Sequence, residues 1–471
     1  MRSGQGSTTS KWAVMATVSI GLFMSAVDGS IVNIALPTLQ RVFQTPFASV
    51  QWVVLSYALT VVTLMLSIGR LGDIYGRKPF YVSGFAVFTV GSLLCASSRS
   101  VTMLIASRVL QGCGAVMLLA LGSAIVIKVF PRDERGKALG ISGLMISLGQ
   151  VSGPTLGGLL INHIGWESIF LINVPIGILG TILAWRFVPT DRPASGQQFD
   201  LAGAFCMFCA LLALLLGLTL GQRVGFTNVK VLALFAATLT GLAAFILVEL
   251  SKVQPLIDLR LFANRQLSVG LIGTLFTYLA IAGVVVLLPF YLQNVLGMNP
   301  GQAGIYLAIL PLAMAASSPL SGWLSDRVGT PSIAVAGLTL MLLGYLLTRQ
   351  LRESGTLLQY ALIVAPIGLG MGIFQSPNNS AVMGSAERER LGIMSGLLAV
   401  IRNLGQTIGV AFLGTLWIVR SATLQGTDYV RSSTTPIHIQ VLALHDVMLV
   451  VAVIIAATLA ITVWAWHAKG K

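Results

Sequence analysis

Apolar residues run in long stretches along this chain, and the polar residues between them gather in short breaks. The stretches reach the roughly 20 residues that a helix needs to cross about 30 Å of hydrocarbon. The pattern predicts fourteen spans, at residues 12–36, 50–69, 79–97, 101–127, 138–161, 168–187, 200–220, 229–250, 268–292, 302–324, 332–350, 357–378, 391–419 and 442–466. A backbone in lipid must satisfy its own hydrogen bonds, so runs of this length read as helices. The fold class is therefore an all-α polytopic membrane protein, and an even number of spans puts both chain ends on one side.

Three charged residues break the apolar pattern well away from the span ends: Asp28, Arg108 and Arg402. An aspartate near mid-bilayer costs about 2.5–3.5 kcal/mol on an insertion scale, so its presence needs a reason. No other acid lies as deep in this assignment. Glu249 falls at the end of span 8, and Asp446 about one helical turn into span 14.

Composition supports the membrane reading. The chain is 55% hydrophobic and 9% charged, with a mean hydropathy of +0.88, which is too little polar surface to coat a soluble globule of 471 residues. Its 50 glycines and 17 prolines suit close-packed and kinked spans. The net charge of +14 forms no dense basic patch, so nucleic acid is not expected as a partner. The charge is explained instead by topology. With the N-terminus in the cytoplasm, 19 of the 29 Lys and Arg residues fall in inner loops and tails and eight in outer loops, which favours both termini inside. Cys95, Cys113, Cys206 and Cys209 all lie in spans and read as small packing residues. The histidines sit in loops or near span ends without partners at metal-ligand spacing. No metal, no cofactor and no enzymatic activity are expected, because phosphate loop, nucleophile elbow and metal cluster are all missing from the sequence.

Spans 7 and 8 carry few polar residues and are bracketed by the longer loops 189–199 and 251–267. This divides the chain into a six-span bundle at 1–196, a two-span insertion with its linker at 197–262, and a second six-span bundle at 263–471. A weak internal repeat supports the division. Gly69 to Lys78 reads GRLGDIYGRK and Gly322 to Pro331 reads GWLSDRVGTP, and both fit G-x-L-x-D-x-x-G. Duplicated halves about a central cavity are a common transporter plan.

Four motifs give the chain a clear resemblance to the major facilitator superfamily, and within it to the fourteen-span drug:H+ antiporters. The first is the loop Gly69, Gly72, Asp73, Gly76, Arg77 and Lys78, with Asp326 at the matching place in the second half. The resemblance implies a cytoplasmic gate there, whose ion pairs are expected only while that side is closed. The second is Arg108-Val109-Leu110-Gln111-Gly112-Cys113-Gly114 in span 4, where Arg108 and Gln111 share a helix face. In the family this arginine is implicated in proton coupling. The third, Gly149, Gly153, Pro154, Gly157 and Gly158 in span 5, resembles the antiporter motif. The fourth is Asp28 followed by Ile31-Val32-Asn33 and Ala35-Leu36-Pro37. Ser25 and Val32 flank Asp28 at helical spacing, which predicts a carboxyl turned toward a cavity. Where the family often has W-R-W-I-F after span 5, this chain reads Trp166-Glu167-Ser168-Ile169-Phe170.

The chemistry expected of Asp28 and Arg108 is proton coupling: burial raises a carboxyl pKa and a nearby cation lowers it, so a group that alternates between the two loads and releases a proton. Gln111, Phe276, Tyr278, Met371, Phe374, Arg402 and Gln406 are the candidate substrate-cavity residues. With one deep acid, a monocationic or neutral amphiphile is the expected cargo. The expected function is proton-coupled multidrug efflux by a monomer in the cytoplasmic membrane, its partners being a small amphiphilic substrate, protons and the lipid bilayer. Export or flipping of a lipid or metabolite, and a non-transporting sensor, are the alternatives.

Overall fold

The computed structural model describes residues 8–131, 134–190, 200–252, 259–385, 391–426 and 435–467. The side chains of some further residues, Asp326 among them, lie outside that description. Among the described residues, fourteen helices are long and apolar enough to span a membrane: Lys11–Val42, Phe47–Tyr75, Arg77–Ala96, Val101–Val129, Gly140–His163, Ser168–Phe187, Leu201–Val224, Val229–Ser251, Arg265–Val295, Pro300–Ser325, Thr330–Gln350, Leu357–Gly384, Gly396–Gln425 and Ile437–His467. They are numbered spans 1 to 14 below. Among the described residues there is no strand.

Three expected boundaries move. Span 1 was expected to end before Pro37, yet its helix runs through that proline to Val42. A proline removes only one backbone donor, and Arg41 Nε donates to the Pro37 carbonyl at 3.3 Å. Span 12 likewise continues through Pro377 to Gly384, with Asn378 Nδ2 tied to Gly270 O (3.1 Å) and Thr274 Oγ1 (2.9 Å) on span 9. Arg420, expected in an outer loop, is helical and meets Asp446 of span 14 at 2.6 Å.

Within the first six spans, span 1 packs along span 5, span 3 along span 4 and span 2 along span 4. In the last six, span 11 and span 10 pack on span 12, and span 9 on span 13. The two sets meet where span 5 touches span 10, span 1 touches span 9 and span 2 touches span 13. Span 7 lies against spans 2 and 13, and span 8 packs chiefly on span 7. Large apolar side chains such as Ile182, Trp185, Leu239, Leu247 and Val453 are exposed on the outside of the assembly, as a lipid-facing surface requires.

The repeat in the sequence has a counterpart in backbone geometry. Gly76 joins spans 2 and 3 at φ 95°, ψ 142°, and Gly329 joins spans 10 and 11 at φ 99°, ψ 139°. This region is open essentially to glycine alone. The closing glycine of G-x-L-x-D-x-x-G thus makes the same turn in both halves.

Candidate functional site

Asp28 lies fully buried at the meeting of spans 1, 2, 3, 4 and 6. Its Oδ2 accepts from Arg108 Nη1 at 2.6 Å, and its Oδ1 accepts from Gln111 Nε2 at 2.8 Å and Asn173 Nδ2 at 3.0 Å. Arg108 also donates through Nε to the Val53 carbonyl (3.0 Å) and through Nη1 to Gln111 Oε1 (2.6 Å). Its guanidinium carbon sits 4.1 Å from the centre of the Tyr57 ring. Gln111 Nε2 in turn donates to Ser92 Oγ at 2.8 Å. The relative exposures of Asp28, Arg108 and Gln111 are 0%, 1% and 0%. A charge removed this fully from water persists only with opposite charge and hydrogen bonds around it, and every member of this cluster supplies one or both.

Beside the cluster lies a cavity of about 1040 Å³. It runs from Ile34, Leu288, Tyr360 and Val410, beneath the far-face contacts, past Tyr57 and Arg108, and reaches Arg70, Asp73, Arg77, Lys128 and Met383 at the face where span 1 begins and span 14 ends, here the near face. At the opposite, far face the two halves are in contact. Gln293, in a π-helical turn over Tyr291–Val295, donates to Ile34 O at 2.8 Å. Phe47, Phe290 and Trp417 form an edge-to-face and tilted cluster with centroids 5.1–5.6 Å apart. Gln51 Nε2 donates to Val410 O at 2.5 Å, and Gln222 Nε2 of span 7 donates to both Gln51 Oε1 (3.2 Å) and Thr415 Oγ1 (2.7 Å).

One expectation is corrected here. The Asp28 carboxyl does not face the cavity; it points into the bundle behind Arg108, and only Arg108 and Tyr57 of the cluster line the cavity wall. The reason is the donor set: one guanidinium and two carboxamides lie on the bundle side and together outbid solvent for the carboxylate. Ser25 does border the cavity, whereas Val32 is buried.

The other sequence candidates divide by helix face. Tyr278, Met371, Arg402 and Gln406 line the cavity. Gln111 belongs to the Asp28 cluster instead, and Phe276 and Phe374 are packed in the hydrophobic core outside the lining. At the near-face loop, Gly69, Asp73 and Arg77 border the cavity, and Asp73 Oδ1 accepts from Arg77 Nε (3.1 Å) and Nη2 (2.8 Å). Arg77 Nη1 also donates to the Ala124 carbonyl at 3.1 Å. The expectation that these ion pairs exist only with this side closed does not hold, since the Asp73–Arg77 pair forms within the loop while the cavity reaches that face. A Cβ at Gly72 would collide with Leu121, so the loop is drawn tightly onto span 4. Lys78, the second residue of span 3, has no side-chain hydrogen bond or ion pair among the described residues. Asp326 falls outside the described side chains.

The antiporter-like glycines serve two neighbours. Gly149, Gly153 and Gly157 face span 1, where any Cβ would meet Ala26, Ser30 or Ile31. Gly158 faces the Pro300 carbonyl, and Gly304 of span 10 faces the Pro154 carbonyl, so at the far face spans 5 and 10 are in backbone contact. Sequence reasoning missed Asn173, Tyr57 and Ser92 of the cluster and the whole Gln51–Gln222–Thr415 bridge. The available signal was buried carboxamides in apolar runs, which need partners.

Fourteen helices around a one-sided central cavity, with a buried ion pair on its wall, define a membrane transporter. The comparisons with known proteins say which kind. The Major Facilitator Superfamily model matches residues 18–410. The chain is 39% identical over 415 residues to a riboflavin transporter of Clostridioides difficile, covering 86% of this chain and 88% of the relative. It is 34% identical over 418 residues to a multidrug resistance protein of Mycobacterium tuberculosis, covering 87% and 77%. It is also 30% identical over 424 residues to a multidrug transporter of Bacillus subtilis, covering 90% and 78%. The crystal structure of a bacterial homologue of the human lysosomal transporter Spinster, inward-facing and unoccupied, superposes with a TM-score of 0.69 at 17% identity, covering 98% of each chain. This chain belongs to the major facilitator superfamily, and it sits with that family's multidrug-exporter branch.

Proposed function

We propose that this protein is a proton-coupled antiporter that exports amphiphilic compounds across the cytoplasmic membrane by alternating access, with both termini in the cytoplasm. The near face is then the cytoplasmic one, and the cavity is ready to take cargo from that side. The first and last six spans act as the two moving halves, with spans 7 and 8 as the insertion.

The observation that carries the reading is the Asp28–Arg108 pair: buried, and 2.6 Å long, on the wall of a cavity that reaches one face. Protonating Asp28 removes the anion that holds Arg108 in place. The guanidinium stays charged at any physiological pH, so it must turn to Val53 O, Gln111 and the cavity for compensation. A proton on Asp28 therefore changes the wall of the substrate cavity and shifts the balance between conformations. The far-face contacts at Gly158, Gln293 and Gln222 would have to part in the opposite state, and the near-face loop at Asp73 and Arg77 would close.

Of the monocationic and neutral cargo the sequence allows, neutral compounds suit this cavity better, because the deep acid is screened by Arg108. Exchange of one proton for one neutral molecule moves one charge, worth about 2.3 kcal/mol per 100 mV. The relative named as a riboflavin transporter favours a second reading, export of a metabolite by the same cycle. Substrate-induced proton flux in proteoliposomes tests the proposal: addition of substrate should dissipate an imposed ΔpH, and absence of any flux with a compound that binds would defeat it.

A further inference from the structure

The cavity wall has a charge pattern that the proposed cycle does not use. At mid-depth Arg402 of span 13 is half-buried and faces the cavity, 5.8 Å from the Tyr278 ring centre. Among the described residues it has neither an acid partner nor a hydrogen bond. The described acids that line the cavity are Asp73 and Asp200, both toward the near face, and each already has a cation: Arg77 at 2.8 Å and Lys252 at 3.9 Å. Asp28 is screened behind Arg108. A guanidinium within a span that has no protein anion marks a functional site, and on a cavity wall the missing anion can be supplied by cargo.

The surroundings of Arg402 are built to match. Gln406, one turn along span 13, and Asn379 on span 12 line the same cavity and have no side-chain hydrogen bond among the described residues. Gln375 Nε2 donates to the Tyr278 hydroxyl at 2.6 Å, which fixes the ring beside Arg402. The result is one cation, two free carboxamides and a held aromatic face. A guanidinium offers a planar fork to a carboxylate or a similar oxyanion, and the carboxamides pair with both donors and acceptors on a ring edge.

We infer that the cavity selects aromatic compounds carrying an anionic group, with Arg402 as the residue that reads the charge and Gln406 and Asn379 as contacts to the ring edge. This rests on the reading of the cavity as the substrate site and narrows its cargo from the neutral compounds favoured above to anionic ones. Export of a monoanion against one proton would move two positive charges inward per cycle, so the membrane potential would drive transport.

The test is equilibrium binding to the purified protein in uncharged detergent micelles, read by fluorescence anisotropy of two dyes with the same tricyclic core: fluorescein, an anion, and rhodamine 6G, a cation. Fluorescein should bind at least about tenfold tighter. Arg402→Gln should weaken fluorescein about tenfold and leave rhodamine 6G within about twofold, while Arg402→Lys should keep fluorescein within about threefold. Micelle partitioning cancels between variants for one dye, and for the ratio of the two dyes it is subtracted with protein-free micelles measured for each. Equal or tighter binding of rhodamine 6G to the wild type, or fluorescein binding unchanged in Arg402→Gln, would overturn the inference. If Arg402→Gln does not fold, the wild-type ratio decides alone. No proton gradient exists in a micelle, so failure here leaves proton antiport standing. Loss of ΔpH-driven transport with anion preference intact would remove antiport alone.

Discussion

Removing one member of the Asp28–Arg108 pair should destabilise the protein far more than removing both. At 2.6 Å and an effective dielectric of about 20, the attraction is about 6 kcal/mol. Most of this offsets the desolvation of the two ions, several kcal/mol for each. Asp28→Leu leaves Arg108 charged at 1% exposure, and a guanidinium cannot shed its proton, so a loss of about 3–5 kcal/mol is expected. Arg108→Met should cost about 1–3 kcal/mol, because Asp28 keeps Gln111 and Asn173 and can become neutral by taking a proton. The double variant should recover to above either single one, so the coupling energy should exceed the Asp28→Leu loss of about 3–5 kcal/mol. Unfolding in mixed dodecylmaltoside and dodecyl sulfate micelles measures all four without requiring transport. Additive single effects within about 0.5 kcal/mol, or an Asp28→Leu loss below that of Arg108→Met, would refute the argument.

Other consequences follow from single contacts. Gly329→Ala puts a side chain at φ 99° and should lower stability by about 1–2 kcal/mol, with Gly76→Ala matching it if the two halves use the same turn; thermal melts of the two compare them directly. Gln222→Ala removes two hydrogen bonds that tie span 7 to both halves at the far face, so Leu218→Cys, a buried position beside the bridge, should react with maleimide several-fold faster in that background. Arg420→Ala breaks a pair that is 43% and 44% exposed; stability should fall by less than about 1 kcal/mol and transport stay within twofold.

The spans were legible because a bilayer leaves the backbone few choices: an apolar run of sufficient length must be helical, and all fourteen appear. Their ends were less so, since the apolar runs stop close to Pro37 and Pro377 while the helices continue to Val42 and Gly384, span 12 held there by the bonds from Asn378 to span 9. Asp28 was legible as an energetic anomaly, and Arg108 with Gln111 as a shared face three residues apart. That Asn173, 145 positions from Asp28, completes the cluster could not be read from local spacing. Nor could the rotation of span 1 that turns the carboxyl away from the cavity, because Ser25 and Asp28 are only three residues apart and helix–helix contacts decide which of them faces in. Phe276 and Tyr278 lie two apart on span 9, so only one of them could line the cavity; composition favoured neither. The far-face bridge through Gln222 was hidden because it joins three segments that no motif connects.

The proposed cycle requires that Asp28 carry the proton. It is tested most directly by ΔpH-driven uptake of a fluorescent aromatic substrate, fluorescein first and rhodamine 6G second, into inverted membrane vesicles containing wild type or Asp28→Asn. Wild type should accumulate dye when the lumen is acid and lose it on collapse of ΔpH. Asp28→Asn should equilibrate dye without responding to ΔpH, and uptake in that variant at the wild-type rate and extent would contradict the claim.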